Sequence, residues 1–543
     1  MDSSMIAKIM AFVIYLAFMV FIGLKNAGKN AGTADFFLGG RSVGPWFTAL
    51  SAEASDMSGW LLMGLPGIAY LGGIKEVFWT SLGLTLGTYL NWLLVAKPLR
   101  KCTVAFGDSI TIPEFLTNRL HDKTHLISVI SVIFIVLFFT IYTASGLVAC
   151  AKLFNSVFGL SYFSGLVIGF AVTLSYTILG GFLAVCTTDF VQGALMFVVL
   201  IVLVLVMTIS LNGPFEAVRK VSEFSQMAIN GNFSESMKIA FTKNQHYSVL
   251  SAISALAWGL GYFGMPHIIV RFMGIRSNAD IALSRRIAMV WVVVAFAGAF
   301  IVGSCGSAFL FGGNGEILQS AETVVSEAIQ TIFSGNVALS FIGAIFLCAI
   351  LAAAMSTADS QLLVASSAFS RDIFKGIAKT DADEKTVLLV SRIMVFVIAA
   401  VAFFIARNPE SSIFSLVSYA WAGFGATFGP LVLLSLFWRR TTNKGAILGL
   451  IAGGITVVLW HNLDLILPKT AFDSFPLLSV YELLPGFLVG LLVAIIGSLL
   501  DKEPPKEILE EMKEIFADLT PNLYSEHTTK APQLIQEFME KLV

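Results

Sequence analysis

The stretch Ala52-Glu53-Ala54-Ser55-Asp56-Met57-Ser58-Gly59-Trp60 places two acids and two serines inside an apolar segment that runs from about residue 45 to residue 70. An ionised carboxylate at membrane depth costs about 2.5–3.5 kcal/mol on insertion scales, so it is retained where it faces a wet cavity, a cation or a partner. Small residues, with Pro66 further on, let such a helix unwind and turn its carbonyls toward an ion. A polar packing face between helices is the simpler alternative, but it does not explain two acids three residues apart.

The composition is that of a polytopic membrane protein. Of the 543 residues, 57% are hydrophobic and only 13% are charged, whereas about a quarter of residues are charged in soluble proteins. The net charge of −1 comes without a basic run, which argues against a nucleic-acid partner. Five scattered cysteines without a CxxC pair predict neither a disulfide nor a metal framework. No feature of the sequence indicates an obligatory protein partner.

Apolar runs of about 20 residues, the length that a bilayer core requires, predict about thirteen transmembrane helices in an all-α polytopic fold. The first run lacks a basic leader and a small-residue cleavage site, so we expect a retained helix. With the N-terminus outside and the C-terminus cytoplasmic, most of the 34 Lys and Arg residues fall in cytoplasmic segments, as the positive-inside rule requires. The predicted spans are 5–24, 46–70, 76–96, 126–153, 161–179, 186–211, 248–270, 287–312, 337–370, 388–406, 413–438, 445–462 and 482–500.

A second polar interruption, at residues 258–267, contains three glycines and Pro266, which predicts another broken helix. The two interrupted helices begin what we interpret as two five-helix repeats of opposite orientation. Broken helices at matching places in two halves are typical of transporters with a site at the membrane midplane. The predicted organisation is a first helix and cytoplasmic loop (1–45), a first repeat (46–211), an external loop (212–247), a second, inverted repeat (248–438), two peripheral helices (439–500) and an amphipathic cytoplasmic tail (501–543).

A third polar cluster lies in the predicted helix 337–370. Ser356, Thr357 and Ser360 share one side of this helix with Asp359. Hydroxyls beside a carboxylate suit a hard cation such as Na⁺, which prefers oxygen ligands. The alternative is that the hydroxyls bond to carbonyls one turn back, as Ser and Thr commonly do in membrane helices.

Four further residues allow two interpretations each. Asp189, after a Gly-Gly pair, is either an acid favoured by the helix N-terminus or an ion ligand. Tyr142 is either a core aromatic or part of a pocket. Arg41 is either an interfacial anchor or a gate residue, and His267 is more simply a structural histidine than a proton carrier.

Four segments carry a resemblance to a known family: Phe37 to Pro45, Ala52 to Pro66, Trp258 to His267 and Met355-Ser356-Thr357. In these segments the sequence resembles the sodium/solute symporter family, and the match extends from the first helix to about residue 460. The resemblance implies thirteen helices around a ten-helix, 5+5 inverted-repeat core. It also implies a Na⁺ site shared by the first and eighth core helices, and, from the members that it matches best, inward transport of L-proline.

The resemblance also assigns site residues. It makes Asp56 essential for coupling, gives Arg41 to the inner gate, and places Na⁺ on the backbone carbonyls of Ala54, Met57 and Ala353 and the hydroxyls of Ser356 and Thr357. A proline pocket would be lined by Ser58, Tyr142, Trp258, Tyr262 and Pro266. Some members of the family use a second sodium site, which suggests a candidate second cation site at Asp189, Asp359 and Ser360.

The predicted function is therefore secondary active transport by alternating access in the plasma (inner) membrane, with Na⁺ and a small solute as partners and no enzymatic step. No Walker A motif is present, so ATP is not the predicted energy source. Other small carboxylates, such as pantothenate or a sialic acid, are the alternative substrates. A membrane sensor or a passive channel are alternatives from other classes.

Overall fold

The computed structural model describes residues 2–27, 32–230, 238–239, 241–242, 244, 246–314 and 318–512. Within these residues the regular elements are helical, which agrees with the predicted all-α fold. The α-helices are Ser3–Ala27, Thr33–Leu38, Pro45–Gly59, Leu65–Tyr70, Ile74–Leu90, Ala96–Ala105, Ile112–Arg119, Leu126–Phe158, Tyr162–Ser210, Pro214–Asn230, Val249–Leu256, Pro266–Gly274, Asp280–Asn314, Val324–Ile332, Val337–Ser367, Glu384–Ile405, Ile413–Phe437, Asn443–His461, Leu463–Ile466, Lys469–Ser474 and Leu483–Leu500. The 3₁₀ segments are Gly39–Arg41, Ala257–Gly264, Ala321–Thr323 and Pro476–Ser479, and the π turns are Trp60–Gly64, Asn91–Val95 and Ala368–Ala378.

The chain is a multi-pass membrane protein. Among the described residues, nine helices are long and apolar enough to cross a membrane, or ten if a bent pair forms one span. That pair, Val249–Gly264 and Pro266–Gly274, meets at 45°, so the break predicted before Pro266 is confirmed. The predicted count of thirteen and the inverted repeat stay predictions.

Two of the remaining predicted spans are interrupted by π turns. The span predicted at 46–70 ends its first helix at Gly59 and continues through the π turn Trp60–Gly64. The span predicted at 76–96 changes into a π turn at Asn91–Val95. Single π turns within α-helices occur frequently at functional sites. These interruptions explain why neither span is one long continuous helix.

The spans predicted at 161–179 and 186–211 are joined in one helical element, Tyr162–Ser210, that bends at Gly181. Gly181 has φ 65° and ψ −177°, a conformation that glycine adopts without steric cost. Sequence reasoning placed a connection between these spans, whereas the structure has a glycine kink.

Small residues bring the helices that surround the site into close contact. A Cβ added at Gly87 would overlap the backbone of Gly259, and a Cβ at Gly83 would overlap the backbone of Leu256. The helix Ile74–Leu90 therefore lies directly against the 3₁₀ segment Ala257–Gly264, as small residues permit between membrane helices. The helix Pro45–Gly59 packs against Val337–Ser367 and Tyr162–Ser210, which places its polar residues at the centre of the bundle.

The predicted amphipathic tail is described in part. A helix covers residues 506–512, where Ile508 and Met512 are buried. The rest of the tail, from residue 513 to residue 543, lies outside the described residues.

Candidate functional site

The first broken helix is interrupted at Ser58. Its φ of 48° and ψ of −173° interrupt the helical conformation inside Pro45–Gly59, and a non-glycine residue in such a region costs about 1–3 kcal/mol. The Ser58 hydroxyl accepts a 3.1 Å hydrogen bond from the Trp60 N–H, so it caps the start of the following turn. Sequence reasoning predicted a break near Gly59, and the structure places the unusual backbone one residue earlier.

The break lies beside the predicted sodium ligands. The Ser356 hydroxyl donates hydrogen bonds to the carbonyls of Ala54, at 2.8 Å, and Ala353, at 3.3 Å. Three of the five predicted ligands are thus brought together from two helices. Thr357 is buried, and its hydroxyl has no hydrogen-bond partner among the described residues. The Met57 carbonyl accepts the Trp60 N–H.

Asp56 joins this polar cluster to two tyrosines. Its Oδ2 atom accepts a 2.5 Å hydrogen bond from the Tyr262 hydroxyl, and its backbone carbonyl accepts one of 3.2 Å from the Tyr142 hydroxyl. All three side chains are buried. Both tyrosines that the resemblance assigned to the substrate pocket therefore contact the residue that it assigned to coupling.

A small cavity opens beside Asp56. Its volume of about 10 Å³ is roughly the space that one water occupies. Three of the five predicted pocket residues, Tyr142, Trp258 and Tyr262, line it. The other two do not: Ser58 caps the helix break, and Pro266 begins the helix Pro266–Gly274. The remaining lining residues are Asp56, Met57, Trp60, Leu84, Val417 and Trp421.

Sequence reasoning missed two tryptophans of this cavity. Trp60 packs against Trp258 with ring centroids 5.4 Å apart, and Trp421 packs edge-on against Tyr262 at 5.0 Å. The Trp421 indole donates a 2.8 Å hydrogen bond to the Trp258 carbonyl. The indole nitrogen of Trp60 is buried without a partner in the described part of the chain. The run Trp421-Ala-Gly-Phe-Gly425, a tryptophan among small residues in an apolar helix, was the available signal.

Asp189 lies in a buried ion pair with Arg271. The Arg271 Nη2 atom lies 3.2 Å from Asp189 Oδ2 and also donates to the Ser360 hydroxyl. Ser51 donates a 2.6 Å hydrogen bond to the same Asp189 oxygen. Asp189 follows the Gly181 kink by more than two turns, so the helix-terminus interpretation does not hold, because that effect decays within the first turn.

Arg271 is a further residue that sequence reasoning missed. Its guanidinium is 1% exposed and, besides the Asp189 pair, it bonds to the His267 carbonyl. A charge buried to this degree requires a partner. Arg271 stands in the apolar run Ile268-Ile-Val-Arg271, so its position inside a membrane helix was the signal. Asp359 accepts a 3.3 Å hydrogen bond from Ser360, at the edge of the same cluster.

Arg41 connects three segments at the end of the bundle. It donates to Asp108 at 2.9 Å, to the Met273 carbonyl at 2.7 Å and to the Ser109 carbonyl at 2.9 Å. Burial lowers the pKa of Arg41 from its ordinary value, and the Asp108 carboxylate opposes that shift. The Val43 N–H, two residues on, bonds to the Gly274 carbonyl. The segment before the first broken helix is thereby attached to the end of the second.

Comparisons with known proteins identify the family. The model of the sodium:solute symporter family matches residues 36–453. This chain belongs to that family.

The symporter is similar over nearly its whole length to proteins named for proline transport. It is 42% identical to the sodium/proline symporter of Escherichia coli strain K12, over 94% of this chain and 96% of that one. It is 41% identical to the osmoregulated proline transporter OpuE of Bacillus subtilis strain 168, over 92% and 96%.

A solved structure shares the fold. It is the substrate-bound outward-open state of a Na⁺-coupled sialic acid symporter, with a TM-score of 0.71 and 17% sequence identity. The match covers 92% of this chain and 99% of that one.

Proposed function

We propose that this protein is a secondary active transporter that couples Na⁺ movement to the uptake of L-proline by alternating access. The observation that carries the proposal is the position of Asp56. It belongs to the helix whose Ala54 carbonyl accepts a hydrogen bond from Ser356, and its carboxylate bonds to Tyr262 at the edge of an aromatic cavity. The relatives named for proline transport support the substrate.

The Na⁺ site would use the carbonyls of Ala54, Met57 and Ala353 with the hydroxyls of Ser356 and Thr357. The Ala54 and Ala353 carbonyls and the Ser356 hydroxyl are already in hydrogen-bond contact. A set of ligands that are all oxygen atoms suits a hard monovalent cation. Asp56 supplies a negative charge on the helix that also holds Ala54 and Met57. Its attraction for Na⁺ is strengthened there because the site is shielded from water.

The proline pocket would be the cavity beside Asp56. Its aromatic faces suit a compact apolar ring, and Asp56 offers a carboxylate to the ammonium group of proline. The Trp60 indole N–H, buried without a partner among the described residues, is suited to donate to the substrate carboxylate. Because the cavity has room for about one water, substrate binding requires these side chains to move apart. Ser58 and Pro266 would affect proline binding indirectly, because they fix the positions of the two helix breaks beside the pocket.

Coupling follows from linkage between the two sites. If Na⁺ binding raises the affinity for proline by some factor, proline raises the affinity for Na⁺ by the same factor. The path between the sites is short, since Ala54 and Asp56 are two residues apart on one interrupted helix. An inward Na⁺ gradient then drives proline accumulation.

The candidate second cation site at Asp189, Asp359 and Ser360 stays a prediction. The guanidinium of Arg271 contacts both Asp189 and Ser360. Arg271 therefore already provides the positive charge that a second cation would bring to this site. Binding of Na⁺ at this site would require Arg271 to move away from Asp189 and Ser360. Otherwise the ion would have to use Asp359 as its main ligand.

Arg41 would belong to the inner gate, since it joins the segments before the first broken helix and after the second. This assignment goes with an outside N-terminus, a cytoplasmic C-terminus and a plasma-membrane location. The two five-helix repeats would then rock against one another around the fixed site.

Uptake of radiolabelled solutes into proteoliposomes tests the proposal. We expect an inward Na⁺ gradient, but not a K⁺ gradient, to drive L-proline accumulation. Pantothenate and sialic acid in excess should not compete. Accumulation of one of these solutes in place of proline would contradict the substrate assignment.

A further inference from the structure

The segment of residues 106–111, called the connecting segment below, holds Arg41 in place. The Asp108 carboxylate and the Ser109 carbonyl each accept a 2.9 Å hydrogen bond from the Arg41 guanidinium. The Ser109 N–H donates a 2.7 Å hydrogen bond to the carbonyl of Thr103, whose hydroxyl accepts a third bond from Arg41 at 3.3 Å. The position of the connecting segment therefore decides whether Arg41 keeps these contacts.

The other end of the connecting segment contacts the helix that carries the proposed Na⁺ ligand Ser356. That helix continues through the π turn Ala368–Ala378. In this turn, the two carboxyl oxygens of Asp372 lie 2.9 and 2.8 Å from the Thr111 hydroxyl, and both residues are buried. The connecting segment thus joins the end of the Na⁺-ligand helix to Arg41.

Helix capping explains the presence of Thr111 but not that of Asp372. The Thr111 hydroxyl accepts a 3.1 Å hydrogen bond from the Glu114 N–H, and Glu114 Oε2 accepts one of 2.8 Å from the Ile110 N–H, an arrangement close to a capping box. Because the capping bond uses only the hydroxyl oxygen, the hydroxyl proton can be donated to Asp372. A protonated Asp372 would still accept this bond with its other oxygen, so the contact does not depend on the charge of the acid.

Arg371, next to Asp372, contacts both sides of the Arg41 site. Its Nη2 atom donates to Glu114 Oε1 at 3.3 Å, and its Nη1 atom donates to the Thr33 hydroxyl at 2.9 Å. Thr33 begins the short helix that leads to Arg41. Two neighbouring side chains at the end of the Na⁺-ligand helix therefore hold the residues before Arg41 and the segment to which Arg41 binds.

We propose that Asp372 and Arg371 are positioning residues that transmit Na⁺ occupancy to the inner gate. Na⁺ bound at Ser356 fixes the helix, whose far end then holds the connecting segment against Arg41. A ligand shifts a conformational equilibrium only through its different affinities for the two states, and these contacts make the closed gate the state that binds Na⁺ better. The gate stays closed while Na⁺ is bound without proline, which prevents an uncoupled leak of Na⁺. This inference rests on the proposed symport and adds to it the route between the Na⁺ ligands and the gate.

The accessibility of Cys102 reports on the gate. Cys102 is 0% exposed and directly precedes Thr103, a partner of Arg41, so opening of the gate uncovers its thiol. The test is labelling of the purified full-length protein with N-ethylmaleimide in Na⁺ or in K⁺, without proline, with each cysteine quantified by mass spectrometry. We expect Na⁺ to slow the labelling of wild-type Cys102 severalfold. The other four cysteines, all buried, serve as internal references.

Asp372→Leu leaves the buried Thr111 hydroxyl without its acceptor. Cys102 should then be labelled about tenfold faster, the scale of one lost buried hydrogen bond, and at equal rates in Na⁺ and K⁺. Asp372→Asn keeps an acceptor oxygen and should retain the protection by Na⁺. A general loss of stability would instead speed the labelling of all five cysteines.

Arg371→Met is a second, independent variant, which keeps the proposal testable if Asp372→Leu does not fold. The Arg371 side chain is 18% exposed, so its replacement disturbs packing less, and it too should remove the Na⁺ protection of Cys102. Asp381→Leu, at an exposed acid a few residues away, is the matched control and should behave as wild type. Both variants should still bind ²²Na⁺ at saturating concentration.

Three results would overturn the proposal. These are equal labelling of wild-type Cys102 in Na⁺ and K⁺, full Na⁺ protection in Asp372→Leu or Arg371→Met, or equal losses of protection in Asp372→Leu and Asp372→Asn. Solute uptake by the same preparations separates this proposal from the proposed function. Na⁺ protection of Cys102 in a protein that accumulates another solute would refute the proline assignment alone. Na⁺-driven proline uptake without protection of Cys102 would refute the role of Asp372 and Arg371 alone.

Discussion

The Tyr262 hydroxyl donates a 2.5 Å hydrogen bond to Asp56 Oδ2, deep within the helix bundle. Tyr262 belongs to the second broken helix and Asp56 to the first, so this hydrogen bond links the two interrupted elements at the cavity. Because Asp56 lies two residues from Ala54, we expect a movement of Tyr262 in the cavity wall to shift the backbone beside the proposed Na⁺ ligands.

Replacing Asp56 by Asn should reduce Na⁺-driven proline uptake severely and raise the Na⁺ concentration for half-maximal rate by at least about tenfold. The amide still accepts the Tyr262 bond, but the site loses its nearest full charge. Initial uptake rates at graded Na⁺ concentrations measure this effect. Glu223→Gln, at an exposed acid, is the matched control, and normal Na⁺ dependence in the Asp56 variant would refute the assignment.

Ser356→Ala and Thr357→Ala should each weaken Na⁺ binding by about tenfold, the effect of losing one oxygen contact to a charged group. The maximal uptake rate at saturating Na⁺ should change less. Ser367→Ala removes a hydroxyl of the same helix that donates a hydrogen bond to the Val364 carbonyl one turn back, so it should leave Na⁺ affinity unchanged. Equal effects of all three substitutions would indicate a general weakening of the helix instead of a site.

Trp258→Ala should weaken proline binding by about 2 kcal/mol, the scale of a buried aromatic anchor, which is roughly thirtyfold. Na⁺ affinity measured without proline should change little, because the Trp258 ring packs against other aromatic rings, those of Trp60, Phe414, Trp421 and Tyr481. Equilibrium binding of labelled proline checks the effect, with the exposed Trp46→Ala as control.

Trp60→Phe tests the indole donor specifically. The ring remains, but the N–H that lacks a partner in the described structure is lost. Proline binding should fall by about tenfold if this N–H bonds to the substrate carboxylate. The amide of proline, which lacks the carboxylate charge, should compete equally poorly against both proteins. Unchanged proline affinity in Trp60→Phe would show that the carboxylate is bound elsewhere.

Arg41→Lys should slow transport more than it weakens proline binding. Lysine cannot reproduce the fork that reaches Asp108 and the Met273 and Ser109 carbonyls together. We expect a severalfold change in maximal uptake rate with proline affinity nearly intact. Arg276→Lys, in an exposed pair with Asp280, is the control, and an equal loss of binding and rate would argue against a gate.

The sequence predicted the broken helices because their cause is local. Small residues around Ser58 and a proline at 266 weaken a helix wherever the rest of the chain lies, and the structure has breaks at both places. The Ser356 contact with Ala54 was reached through the family resemblance. Spacing alone does not tell which two helices meet.

Other features depend on contacts between distant segments and were missed. Arg271 was passed over because its partners, Asp189 and Ser360, come from two other helices. Trp421 belongs to the helix Ile413–Phe437, whose sequence has no charged residue to indicate a site. Its ring nevertheless packs against Tyr262 and lines the cavity. The connection expected near residue 180 became a kink, because a single glycine at positive φ turns the chain without ending the helix.

Coupled symport requires that Na⁺ and proline cross the membrane together. Proteoliposomes containing the purified protein, with equal Na⁺ on both sides and zero membrane potential, allow a direct test with ²²Na⁺ as tracer. An inward proline gradient should drive net ²²Na⁺ entry that saturates with proline and is lost in Asp56→Asn. Na⁺ entry at the same rate without proline, or proline entry that moves no Na⁺, would contradict coupled symport.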